Sequence, residues 1–248
     1  AVVALLTLPF LLPYLELRRL GFPARSLAEV ATYSADVFSY WTAPPESHVW
    51  GRVVRAFPKP EGDLFPGLTS LTLAAAALAT SARHAWRRSS ESAAAVRGLS
   101  PLVYGLSGLC AVYALLLILI LTGVRLEPVW PLAISVRGIG RPTLVLGLAL
   151  SALVAISPRA RSCARVWLGT VAAFAILGAG LAFVLSLGPD IRANGRLIGE
   201  TGPYSILYSL VPGFDGLRVP ARYAMLVTLF LAIAAGFVVG VPLSKVPI

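Results

Sequence analysis

Charge is what this sequence has least of: 13% of its 248 residues are Asp, Glu, Lys or Arg, while 57% are hydrophobic. A water-soluble domain of this length covers its outside with charge, so that class is excluded unless the apolar runs meet a different solvent. Mean hydropathy is +0.81, and several runs are long enough to cross the ~30 Å hydrocarbon core of a bilayer. Cysteine is equally scarce. Cys110 falls in an apolar run and Cys163 in a short basic stretch, depths too different for a disulfide. His48 and His84 are the only histidines, so nothing has metal-ligand spacing, and no metal or other cofactor is assigned. Asn194, the sole asparagine, is followed by Gly195 and Arg196 and makes no glycosylation sequon.

The apolar runs predict helices at about 1–14, 66–83, 102–123, 142–158, 166–187 and 222–242. In lipid every backbone polar group must be satisfied within its own segment, which favours helices over lone strands. The expected fold class is therefore all-α: one polytopic transmembrane bundle of about six spanning helices. The run 1–14 stops at Pro13; as a helix it covers only about 20 Å, and it has no basic n-region or small-residue cleavage site. It reads as a truncated helix, and the chain as a piece of a larger protein. Alanine-rich 74–79, and Ala232, Gly236 and Gly240, are expected to let helices approach closely.

The formal charge of +10 lies between the apolar runs rather than along one face, which is how membrane loops look and which excludes nucleic acid as a partner. Membrane lipid is the expected partner instead. Arg83, Arg87, Arg88 and Arg97 stand against Glu91 around loop 84–101; Arg159, Arg161 and Arg165 follow in 159–165, and Lys245 after the last helix. Dense arginines in short loops make this side cytoplasmic, and both chain ends with it. The loops 15–65, 124–141 and 188–221 then face outward and hold every acid except Glu91.

Loop 15–65 is too long for a plain connector. Ser26-Leu-Ala-Glu29 is a capping box, and the apolar spacing after it predicts one surface helix over 26–41, ended by Pro44-Pro45. A second short helix is predicted at 203–211, with Pro203 in its first turn.

Candidate binding residues gather in these outer loops. Arg218 and Arg222, four apart across Pro220 at the mouth of the last helix, would share a face and suit a phosphate or diphosphate. The plainer alternative is that they reach headgroups or pair with Asp215. Asp36, among Tyr33, Phe38, Tyr40 and Trp41, would grip sugar hydroxyls, serve as a base if burial raised its pKa, or simply be the polar face of the helix. Tyr204 and Tyr208, four apart, offer stacking surfaces. Glu46 with His48 is a weak acid–base pair, and Asp190 after Gly188-Pro189 reads as a turn residue.

Leu217-Arg-Val-Pro-Ala-Arg-Tyr223, preceded by Pro203-Tyr-x-x-Leu-Tyr208 and Val211-Pro-Gly-Phe214, resembles the later part of large bacterial membrane proteins of the GT-C glycosyltransferase class. Tyr33-Ser-Ala-Asp36, Ala43-Pro-Pro-Glu46 and Leu64-Phe-Pro-Gly67 look similar to their extracytoplasmic loop. The resemblance implies a multi-pass protein of the bacterial inner membrane. It further implies sugar transfer from a polyprenyl-phosphate donor at the extracytoplasmic face. The class keeps its essential acid in the first outer loop, upstream of a later piece, so no residue here is assigned as catalytic. A transporter or flippase and a non-catalytic scaffold are the rivals; the apolar runs carry essentially no interior charge, which counts against ion-coupled transport.

Overall fold

The structure, a computed structural model, describes residues 25–93, 101–122, 138–211 and 214–243, with a few single positions before 25. Most of the expected helix 1–14, Arg97, Lys245 and most of loop 124–141 lie outside them. The chain is mostly helical. In order come α1 (Leu27–Thr32), a 3-10 helix (Val37–Trp41), α2 (Leu68–Ala93), α3 (Pro101–Leu121), α4 (Gly140–Ile156), α5 (Pro158–Leu168) and α6 (Val171–Ser186). A hairpin of β1 (Ile191–Ala193) and β2 (Arg196–Gly199), then α7 (Pro203–Leu210) and α8 (Ala224–Leu243), complete it.

Two stretches are long and apolar enough to cross a membrane, Pro101–Leu121 and Pro220–Gly240. A third exists only if α4 and α5, bent by 107° at their break, count as one span. Six spans are therefore not found among the described residues. The reason is local. The 16-residue α6 is short, and α2 carries Arg83, Arg87 and Arg88 in its second half. Helix α3 still needs an apolar solvent: Ile120 is its one buried residue, while Leu102, Leu109, Val112, Leu115 and Ile118 are exposed. Leaving those five in water would cost roughly 10 kcal/mol relative to burial.

Three helices form the main packing unit. Ala74 and Ala77 of α2, Ala172, Ala175, Ala179 and Ala182 of α6, and Val227, Leu231 and Ala234 of α8 make one buried cluster. Alanine's small side chain allows the three backbones to approach closely. The stretch 74–79 thus packs as expected, but Gly236 and Gly240 do not: a Cβ at either would meet nothing within 4 Å. The close glycine contact is at Gly178, where a Cβ would lie 2.7 Å from the Phe230 ring.

Two expectations about helix ends are corrected. Helix α2 runs ten residues past 83, to Ala93, because no Gly or Pro interrupts the chain between Gly67 and Gly98. The loop expected at 159–165 is helix α5. Ser157 caps it by accepting the Ala160 amide at 3.2 Å, and Pro158 fills its first position. Helix α5 lies along the far half of α2, with Trp167 Nε1 donating to Ser81 at 3.1 Å and Arg159 to Ser90 at 2.6 Å.

At the other end of α2, residues 25–66 fold with 186–223 into a cap. Ala35 donates to the Ser186 carbonyl at 2.8 Å, Arg25 to that of Asp215 at 2.9 Å, and Ala221 to that of Tyr33 at 3.3 Å. Ile139, just ahead of α4, donates to the Ile198 carbonyl at 2.9 Å. Tyr40 and Phe183, ring centroids 4.9 Å apart, pack against both the alanine cluster and the cap's own core of Ala35, Leu187, Ile191 and Ala221. Gly188, with φ +70°, lets the chain pass: a Cβ there would overlap Ser34 Oγ and lie 2.6 Å from its Cβ.

Candidate functional site

The cap is where most of the sequence-flagged residues meet. The single helix expected over 26–41 breaks at Tyr33–Asp36. Ser26 does accept the Glu29 amide at 3.2 Å, but the Glu29 carboxylate turns to Arg218 instead of completing the box. The chain then extends, and Asp36 starts the 3-10 helix as its cap.

Asp36 is 2% exposed, which rules out the polar face of a surface helix. Its carboxylate accepts three backbone amides: Phe38 at 2.8 Å, Asn194 at 2.9 Å and Gly195 at 2.8 Å. Asn194 and Gly195 are the two-residue turn of the hairpin, both left-handed at φ 52° and 74°, the combination that favours Asn-Gly in a tight hairpin. Lys59 lies beside this knot, donating to the Ser34 carbonyl at 2.6 Å. Burial pulls the Lys59 pKa down, the Asp36 charge opposes that shift, and Arg192 adds to it. Asp36 is thereby committed to holding the hairpin on the 3-10 helix.

The tyrosines are committed too, in different ways. Tyr204 is fully buried, its ring 5.9 Å from Phe214 and its hydroxyl 3.4 Å from the Phe214 and Leu217 carbonyls. Burial pushes its hydroxyl up to about 12. Tyr40 shares a hydrogen bond of 2.8 Å with Ser186, and burial raises it likewise to about 12. Tyr208 donates to the Arg25 carbonyl at 2.6 Å. Trp41 remains exposed, 6.2 Å from the Phe65 ring.

Arg218 and Arg222 do not share a face. Arg218 Nε lies 2.9 Å from the Glu29 carboxylate, its Nη2 donates to the Tyr33 hydroxyl at 3.1 Å, and its Cζ is 4.7 Å from the Tyr33 ring centre. Arg25 joins the same carboxylate at 3.7 Å. Arg222, in the 3-10 turn Pro220–Tyr223, reaches Glu61 at 3.2 Å. Glu61 holds φ 56°, a left-handed conformation uncommon for a residue with a side chain. Both arginines stay about half exposed or more, at 51% and 63%. Asp215, an alternative partner for them, sits in the 3-10 turn Phe214–Gly216, and its carbonyl accepts the Arg25 amide.

No family model, curated protein or solved structure matches this chain.

An apolar groove of about 570 Å³ runs along α6 and α8, lined among others by Leu168, Leu177, Leu181, Leu185, Tyr223 and Phe230. It extends from the α5 end of α6 to Tyr223, the residue after Arg222. Glu46 and His48 are both exposed, with no bond between them among the described residues. Asp190 faces Arg192 at 3.4 Å. Among the described residues no group of three His, Cys, Asp or Glu is placed to hold a metal. Four residues escaped the sequence reading: Lys59, Glu61, Ser186 and Gly195. Only Gly195 left a signal, as Asn194-Gly195 between alternating apolar and polar residues.

Proposed function

We propose that this chain is the cap-bearing membrane part of a glycosyltransferase-like protein that takes a polyprenyl-phosphate-linked sugar at the extracytoplasmic face. The observation that carries the reading is the apolar groove ending at Tyr223, next in sequence to Arg222. A prenyl chain fits an apolar groove at membrane depth, and guanidinium forks suit the phosphate that follows it. In the free state Glu29 and Glu61 occupy the two forks. Donor phosphate replaces these carboxylates, exchanging one charged partner for another, and fixes negative charge where the leaving group forms. Trp41, exposed at the cap, is the residue left to stack on sugar, while the Tyr33 ring lies under Arg218. No side chain here is assigned as the base.

One observation favours a second reading, a non-catalytic scaffold. Asp36, Tyr40, Tyr204 and Tyr208 are all engaged inside the cap, as expected of a fold whose polar groups serve architecture. A transporter or flippase draws support only from the groove. The test is transfer from a lipid-phosphate sugar by the full-length protein in proteoliposomes. With Arg218→Gln and Arg222→Gln together, transfer falls by about 100-fold or more, the scale of losing charge-stabilising donors. Unchanged transfer removes the arginines from the reaction, and no transfer by the unaltered protein favours the scaffold.

A further inference from the structure

The end of the molecule opposite the cap carries a second charged feature, with no part in the groove reading. The last turns of α2 hold Arg83, Arg87 and Arg88, and α5 beside them holds Arg159, Arg161 and Arg165; Glu91 is the one acid in either stretch. These six arginines are not equivalent. Arg159 lies over the Trp86 ring at 4.0 Å and donates to Ser90. Arg161 wraps back onto the end of α4, donating to the carbonyls of Val154, at 3.3 Å, and Ala155. Both are fixing the corner where α4 turns by 107° into α5.

That leaves Arg83, Arg87, Arg88 and Arg165, all exposed and without an acidic partner among the described residues. Arg83 and Arg87 are one helical turn apart, and Arg88 follows directly. Trp86 is 56% exposed, and an exposed indole favours the headgroup layer of a bilayer; Trp167 on the facing helix gives its N–H to Ser81. Helix α5 is short, turned by 107° from the apolar α4, and brings Arg165 beside the last turns of α2.

We propose that this end is a binding platform for anionic phospholipid headgroups. Arg83, Arg87, Arg88 and Arg165 hold the phosphodiesters, while Trp86 sets their depth. Charge complementarity selects the occupant: four exposed guanidiniums at headgroup depth meet phosphate in every lipid, but net negative charge only in an anionic one. Each such residue near an anionic surface strengthens binding by roughly fivefold.

The experiment uses the protein in nanodiscs of phosphatidylcholine mixed with phosphatidylglycerol, with the retained lipids counted by native mass spectrometry. The unaltered protein should retain phosphatidylglycerol above its share of the mixture. Replacing Arg83, Arg87, Arg88 and Arg165 by Gln should abolish that excess, while the same four changed to Lys should keep most of it. Inorganic phosphate added at matching concentration should leave retention unchanged. No excess in the unaltered protein overturns the proposal even if the Gln set fails to fold. A Gln set that folds and keeps the full excess, or displacement by inorganic phosphate, overturns it as well.

Discussion

Asp36 Oδ2 accepts the backbone amide of Gly195 at 2.8 Å, joining positions 159 residues apart. With the Asn194 amide on Oδ1, it pins the tip of a hairpin to a 3-10 turn and so closes the cap from two distant stretches of chain. A buried carboxylate facing three amides is a charge-assisted arrangement that loses much when one oxygen becomes a donor. Asp36→Asn is therefore expected to destabilise the cap by about 2–3 kcal/mol. Hydrogen exchange over 191–199 checks it: protection there should fall while that of α8 persists. Unchanged protection at Asn194 and Gly195 would contradict the assignment.

Two glycines should respond oppositely to the same change. Gly188 has φ +70° and no room for a Cβ beside Ser34, so Gly188→Ala is expected to cost about 1–3 kcal/mol. Gly180 sits inside α6 with nothing within 4 Å of a Cβ, so Gly180→Ala should be neutral or stabilise by up to about 1 kcal/mol. Thermal unfolding in detergent separates them, and equal shifts would show that the Ser34 contact is not what requires glycine.

Alkaline pH should loosen the cap through its buried tyrosines. Tyr40 and Tyr204 have hydroxyls raised from 10.0 to about 12 by burial. Below pH 10 both folded and unfolded chains keep these protons, and the contribution is fully present. Between about 10 and 12 the unfolded chain ionises first, so stability falls as pH rises, by on the order of 2 kcal/mol per residue. Tyrosinate absorbance followed beside unfolding checks this. Tyr40→Phe should flatten the slope in that window and leave the neutral-pH fold intact.

Helices whose geometry is set by their own residues were legible in the sequence; segments whose geometry depends on distant partners were not. Pro203–Leu210 follows from a first-turn proline, and Pro101–Leu121 and Gly140–Ile156 lie within two residues of the apolar runs that announce them. The break at Tyr33–Asp36 was not visible because its causes sit elsewhere: Ser186 takes the Ala35 amide, and Asn194 and Gly195 take the Asp36 carboxylate. Helix α5 was hidden by its arginines, which read as a loop until Ser157-Pro158 is recognised as a helix start. At the candidate site, Arg218 and Arg222 were visible as a pair by spacing. Their separation onto Glu29 and Glu61 was not, since it depends on where α1 and the 59–62 turn come to rest.

Glu61 offers a gain-of-affinity test. The Arg222–Glu61 pair is solvent-exposed, so Glu61→Gln should change stability by less than about 1 kcal/mol. It also frees Arg222 from a competing carboxylate, so affinity for a polyprenyl phosphate should rise several-fold. Lipid titration by intrinsic tryptophan fluorescence reads this directly, and weaker binding would mean that Glu61 assists the ligand.

The most direct test of the donor-site account is covalent labelling with a photoreactive polyprenyl phosphate, followed by peptide mapping in the full-length protein. The account predicts crosslinks on α6 and α8 within 174–185 and 223–230, lost when Arg218 and Arg222 are both glutamine or when Leu181→Trp fills the groove. Crosslinks confined to other helices, or labelling indifferent to all three substitutions, would contradict it.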